Sequence, residues 1–193
     1  MTRHLYCDFL TMQAVGLIIG FLLVITHALA LVKPAMVKDF LRDFPRHRGI
    51  GISILAVDFI WAFWLIGNID LGEFYTWENP IRIVLPVCFL LFIFFVEEFL
   101  AVRATGILLL LLACPVLDVA FLREPATRLL LPLLAYVWIL LGLFWIGMPY
   151  LMREQIAWVS GNNGRWRIFS GAGLVYGVAL VVCAVVFWGV ANS

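Results

Sequence analysis

Residues 11–32 read TMQAVGLIIGFLLVITHALALV, a stretch without one Asp, Glu, Lys or Arg. A helix needs roughly 20 such residues to cross the hydrocarbon core of a bilayer. Within that core only helices and closed barrels satisfy every backbone group. Outward from this block the pattern recurs at about 49–67, 81–96, 101–121, 129–148 and 168–190, separated by short polar breaks. Apolar residues make up 65% of the 193 and charged residues 13%. The expectation is an all-α, polytopic (multi-pass) membrane protein: one integral membrane domain over residues 1–193, with about six transmembrane helices in a single bundle.

The first block invites a second reading. Ala14 to Thr26 would serve as the apolar region of a signal peptide, and Ala28-Leu29-Ala30 has small residues where a cleavage site needs them. Yet the apolar run continues to Val32, and Arg3 is offset by Asp8 ahead of it. The block is therefore expected to persist as an uncleaved first span.

Orientation follows from Lys and Arg in the short loops. Loops 1, 3 and 5 carry Lys33, Lys38, Arg42, Arg46, Arg48, Arg103, Arg153, Arg165 and Arg167; Arg3, Arg82, Arg123 and Arg128 lie on the other side. Nine against four predicts loops 1, 3 and 5 in the cytoplasm (the inner membrane, in a bacterium) and both termini outside it. Within loop 1, Pro34 suits a first helical turn. Met36, Val37, Phe40, Leu41 and Phe44 then share one face, opposite Lys38, Asp39, Arg42, Asp43 and Arg46. That pattern predicts a short helix lying in the interface, an anchor on lipid phosphates or a docking surface. Tyr150 to Val159 is a weaker version, ended by Ser160-Gly161-Asn162-Asn163-Gly164.

Few polar residues fall inside the spans. Asp58, near the middle of the second, is the sharpest. A carboxylate at that depth costs about 2.5–3.5 kcal/mol on insertion scales, and such groups face the bundle, neutralise or pair. His27 is its obvious partner. Were spans one and two neighbours, the two would differ in depth by about four residues, roughly 6 Å of rise. Together they form a candidate ion- or proton-binding pair. At the cytoplasmic face Glu97, Glu98, Arg103 and His47 form weak catalytic candidates, with Asp43, Arg153 and Glu154 at the same level; paired carboxylates with His and Arg suit a metal or a phosphorylated head group. Asp70, Glu73, Tyr75 and Trp77 are expected in an outer interface belt.

Gly173-x-x-x-Gly177 in the last span is a small-x-x-x-small surface for close helix approach, within the bundle or, second in preference, between copies of the chain. Pro86, Pro115 and Pro132 predict kinks. Glu78-x-x-x-Arg82-x-x-x-Pro86 is echoed by Glu124-x-x-x-Arg128-x-x-x-Pro132, through shared helix-end chemistry or an internal duplication. Cys7, Cys88, Cys114 and Cys183 form no CxxC pair and are expected as free, buried packing residues.

Much is argued against. No HExxH, GxSxG, GxxxxGK[ST] or GxGxxG is present, which favours a non-enzymatic role. With only His4, His27 and His47 and no CxxCH, neither haem, another cofactor nor a dedicated metal is expected. A net charge of +1 without a basic, aromatic-interleaved patch points away from nucleic acid. Lipid and other membrane subunits are the expected partners. The preferred reading is a structural or accessory subunit of a membrane complex. The alternatives are a small transporter or ion- or proton-conducting protein using Asp58, which needs a polar cavity reaching Asp58 from one face, and a membrane enzyme acting on a lipid-type substrate at the cytoplasmic interface.

Overall fold

A computed structural model describes residues 10–68, 78–95, 99–121 and 126–188. Among them the chain is helical throughout, with no strand: α1 (Met12–Val32), α2 (Pro34–Asp43), α3 (Arg48–Asn68), α4 (Glu78–Phe95), α5 (Leu100–Ala120), α6 (Leu130–Gly147), α7 (Tyr150–Ser160) and α8 (Asn163–Val186). Five helices are long and apolar enough to span a membrane: α1, α3, α5, α8, and α6 with the 3₁₀ turn Ala126–Leu129 that leads into it. The sixth expected span, α4, is the shorter one, with its apolar run in Asn79–Phe92.

Local chemistry sets the ends. Thr11 caps α1, its hydroxyl accepting from the Ala14 N–H at 3.1 Å. The last span starts at Asn163, five residues before the apolar block. Asn162 caps it by accepting from the Gly164 N–H at 2.7 Å, so the polar Asn-Gly-Arg segment is wound into the first turn rather than left as loop. Trp166, in that turn, is buried and donates from Nε1 to the Ala30 carbonyl at 2.8 Å. Pro34 opens α2, as its fixed φ allows. The helices run through Pro86 and Pro115.

Packing divides the bundle. α1 lies along α8, α5 along α6, and α3 against α5, while α4 rests chiefly on α3. One buried cluster joins four helices at one end: Met12, Val15 and Ile19 of α1, Ala113 and Val116 of α5, Leu131 and Ala135 of α6, Leu180 and Ala184 of α8, closed by Trp188. A smaller one, Leu55, Leu100 and Ala104 with Phe89 and Phe92 against it, joins α3, α4 and α5. In lipid the hydrophobic effect does not drive helices together, so close backbone approach and dispersion take over. A Cβ on Gly177 would lie 2.9 Å from Leu23 Cβ and 3.0 Å from the Val24 nitrogen, and one on Gly142 would lie 2.7 Å from the Gly106 carbonyl. Gly173 and Gly177 thus pack within the bundle, against α1.

Many large apolar side chains point outward, among them Ile18, Phe21 and Ile25 of α1 and Ile83, Val84 and Val87 of α4. Cys88 and Cys114 share that outward side and Cys183 is half-buried, so two of the cysteines expected in the interior face out instead. α2 is a short helix where the sequence places one, over Pro34–Asp43. Met36 and Phe40 are exposed while Val37, Leu41 and Phe44 are half-buried. Its basic face makes contacts within the chain: Lys38 Nζ donates to Asn163 Oδ1 at 2.8 Å and Arg42 to Ser160 Oγ at 3.3 Å, tying α2 to the α7–α8 corner.

Candidate functional site

Asp58 sits midway along α3, where its turn faces α4 and α5. It is 2% exposed, and neither carboxyl oxygen has a hydrogen-bond partner. Around it is a cleft of about 160 Å³ lined by Leu55, Phe59 and Ala62 of α3, Leu85, Cys88, Phe89 and Phe92 of α4, and Ile107 of α5. The rings of Phe59 and Phe89, 4.7 Å apart, bridge the two helices beside it. Apart from the carboxyl the wall is apolar, and Cys88 on its rim is exposed. The polar cavity that a conduction path through Asp58 requires is not what surrounds it; it is a single carboxyl in an oily cleft.

His27 is elsewhere. Its Nδ1 lies 2.9 Å from the Leu23 carbonyl one turn back and 3.3 Å from the Thr26 hydroxyl, and its ring lies over Gly173 of α8. The sequence pairs Asp58 with His27 on the assumption that consecutive spans are neighbours. The structure packs α1 on α8 and α3 on α5 instead, and does not bring the two side chains together. Between α1 and α3 stands α2, whose 10 residues, about 15 Å of rise, separate the two helices along the chain.

The interface candidates separate in part. His47 is exposed in the turn before α3. Arg103 is one turn into α5, its Nε buried without a partner. Glu97 and Glu98 lie outside the described residues, as do Asp70, Glu73, Tyr75, Trp77 and Glu124. Among the described residues no three His, Cys, Asp or Glu side chains come together.

Two features escape the sequence reading. Gly16-x-x-x-Gly20 on α1 is a second small-residue face against α8: a Cβ on Gly20 would lie 3.1 Å from the Gly177 carbonyl, and one on Gly16 would meet Trp188 and Ala184. The same spacing rule applied to the first span finds it. The other is a cavity of about 420 Å³ at the end of the bundle where α3, α5 and α7 begin, lined by Pro45, Arg46, Arg48, Phe99, Leu100, Ala101 and Arg153. From the sequence, Arg153 stands at the level of the interface candidates while Arg46 and Arg48 count only as loop charges, because nothing in the spacing shows that the turn carrying them meets the start of α7.

Comparison of the chain with protein-family models, with curated proteins and with solved structures finds no match.

Proposed function

We propose that this chain is a structural or accessory subunit of a membrane complex, and that a transmembrane helix of its partner docks at the α3–α4 cleft with a hydrogen-bond-donating side chain directed at Asp58. The observation that carries this reading is a buried carboxyl with two unpartnered oxygens in an apolar cleft. An unsatisfied polar group in hydrocarbon is costly, and intramembrane carboxyls as a rule meet a partner or a proton. The exposed rim at Cys88 leaves a way in from the lipid, and α4, which rests chiefly on α3, is the element best able to shift for an incoming helix. The cytoplasmic placement of the α2 and α7 ends, with both termini outside, belongs to the same proposal and rests on the Lys and Arg distribution.

The test is purification from native membranes in mild detergent, followed by native mass spectrometry of wild type and Asp58→Leu. A stoichiometric membrane partner that wild type retains and a folded Asp58→Leu loses is the expected result. A partner held equally by both, or a clean monomer from wild type, overturns the reading. Proton flux in proteoliposomes that Asp58→Asn abolishes would assign Asp58 to transport instead.

A further inference from the structure

The cavity at the α3–α5–α7 corner has a chemistry that the partner-docking role does not use. Arg46 leaves the turn after α2, Arg48 opens α3, and Arg153 lies in the first turns of α7; all three line the same space. Its remaining wall is the start of α5 at Leu100 and Ala101. The N-cap residue of that helix, Phe99, makes no side-chain cap hydrogen bond, and the first turn has no acidic residue. Phe99 is held at φ 56°, a left-handed conformation that bulky residues rarely adopt. Arg153 lies over the Phe99 ring, 5.9 Å from its centroid. The strained turn therefore supports one of the cationic groups lining the cavity.

We propose that this corner is an anion site for a phosphate group. A guanidinium presents paired donors that match phosphate oxygens, which makes arginine the favoured residue for such sites. Helix N-terminal N–H groups complete phosphate sites elsewhere, and basic pockets between transmembrane helices bind lipid head groups at the membrane edge. The phosphate is that of an anionic phospholipid head group or a free phosphate ion, and the two are separable by experiment.

The protein in a neutral detergent is titrated with phosphatidylglycerol, with phosphatidylcholine and with inorganic phosphate, bound lipid being counted by native mass spectrometry and stability followed by thermal unfolding. Wild type is expected to retain phosphatidylglycerol in preference to phosphatidylcholine, and R46Q/R153Q to bind it at least tenfold more weakly. Arg48, which makes a further interaction in the structure, stays unchanged. Stabilisation of wild type by millimolar inorganic phosphate, lost in R46Q/R153Q, with no preference for phosphatidylglycerol, would identify the free ion as the ligand. Should the double variant not fold, R153Q alone carries the comparison. Equal binding of both lipids together with no phosphate effect overturns the proposal, as does unchanged phosphatidylglycerol affinity in the folded variant.

Discussion

The imidazole of His27 occupies the space that a side chain on Gly173 would need. With Nδ1 held against the Leu23 carbonyl at 2.9 Å, the ring is a fixed knob on α1, and Gly173 is the hole on α8 that receives it. Gly173→Ala is expected to destabilise the bundle by about 1–3 kcal/mol, the usual cost of overpacking. His27→Ala should relieve the clash, so that the double variant is less destabilised than the sum of the two singles. Thermal unfolding in detergent checks this; strict additivity would mean that the two residues do not meet.

Gly177 offers no such relief. The atoms a methyl group would strike include the Val24 nitrogen at 3.0 Å and the Gly20 carbonyl at 3.1 Å, which are backbone. Gly177→Ala should therefore cost about 1–3 kcal/mol whatever is done to neighbouring side chains. Gly171, six residues earlier on the same helix, has nothing within 4 Å of its would-be Cβ. Gly171→Ala is expected to be neutral or to gain up to about 1 kcal/mol of helix propensity. Melting temperatures that fall equally in both variants would contradict the α1–α8 seam.

In the isolated protein, Asp58→Leu should leave stability unchanged or raise it by about 1–3 kcal/mol, because it removes a buried group that has no hydrogen bond to lose. A marked fall in the melting temperature would show that the carboxyl has a partner within the chain.

Trp188 is fully buried and donates from Nε1 to Thr127 Oγ1 at 3.1 Å, fastening the end of α8 to the turn before α6. Trp188→Phe should cost about 1 kcal/mol for the lost bond, and Trp188→Ala about 3–5 kcal/mol through the cavity it leaves. Equal losses in the two variants would place the whole effect in the hydrogen bond.

A cysteine replacing Gly161, which is exposed in the α7–α8 turn, reports orientation in a background where the four native cysteines are serine. The expected outcome is labelling by an impermeant maleimide only after the membrane is opened. Labelling of intact cells would reverse the assigned topology.

The helices were legible because lipid imposes a crude requirement, about twenty apolar residues in a row, that residues 11–32 meet without ambiguity. α2 was legible too, since Pro34 and the spacing of Met36, Phe40 and Phe44 follow from helix geometry alone. What lies beside what was not. Ile18 and Phe21 face outward and Val15 and Ile19 inward on one helix, yet all four are equally apolar, so periodicity does not mark the buried face. Small residues carry the missing information, and Gly16 and Gly20 held it for α1. Asp58 was found by its depth and its charge, whereas its separation from His27 depends on which helices pack together. The cavity of Arg46, Arg48 and Arg153 depends on turns distant in sequence, and local pattern says nothing about such meetings.

The pairing of α1 with α8 joins the first described helix to the last. In the order of synthesis α1 would emerge well before α8, so its glycine face would stay without this partner until α8 follows. A chain cut after α7 would leave the Gly16–Gly20 face of α1 open, and α8 supplied as a separate peptide would be able to close it.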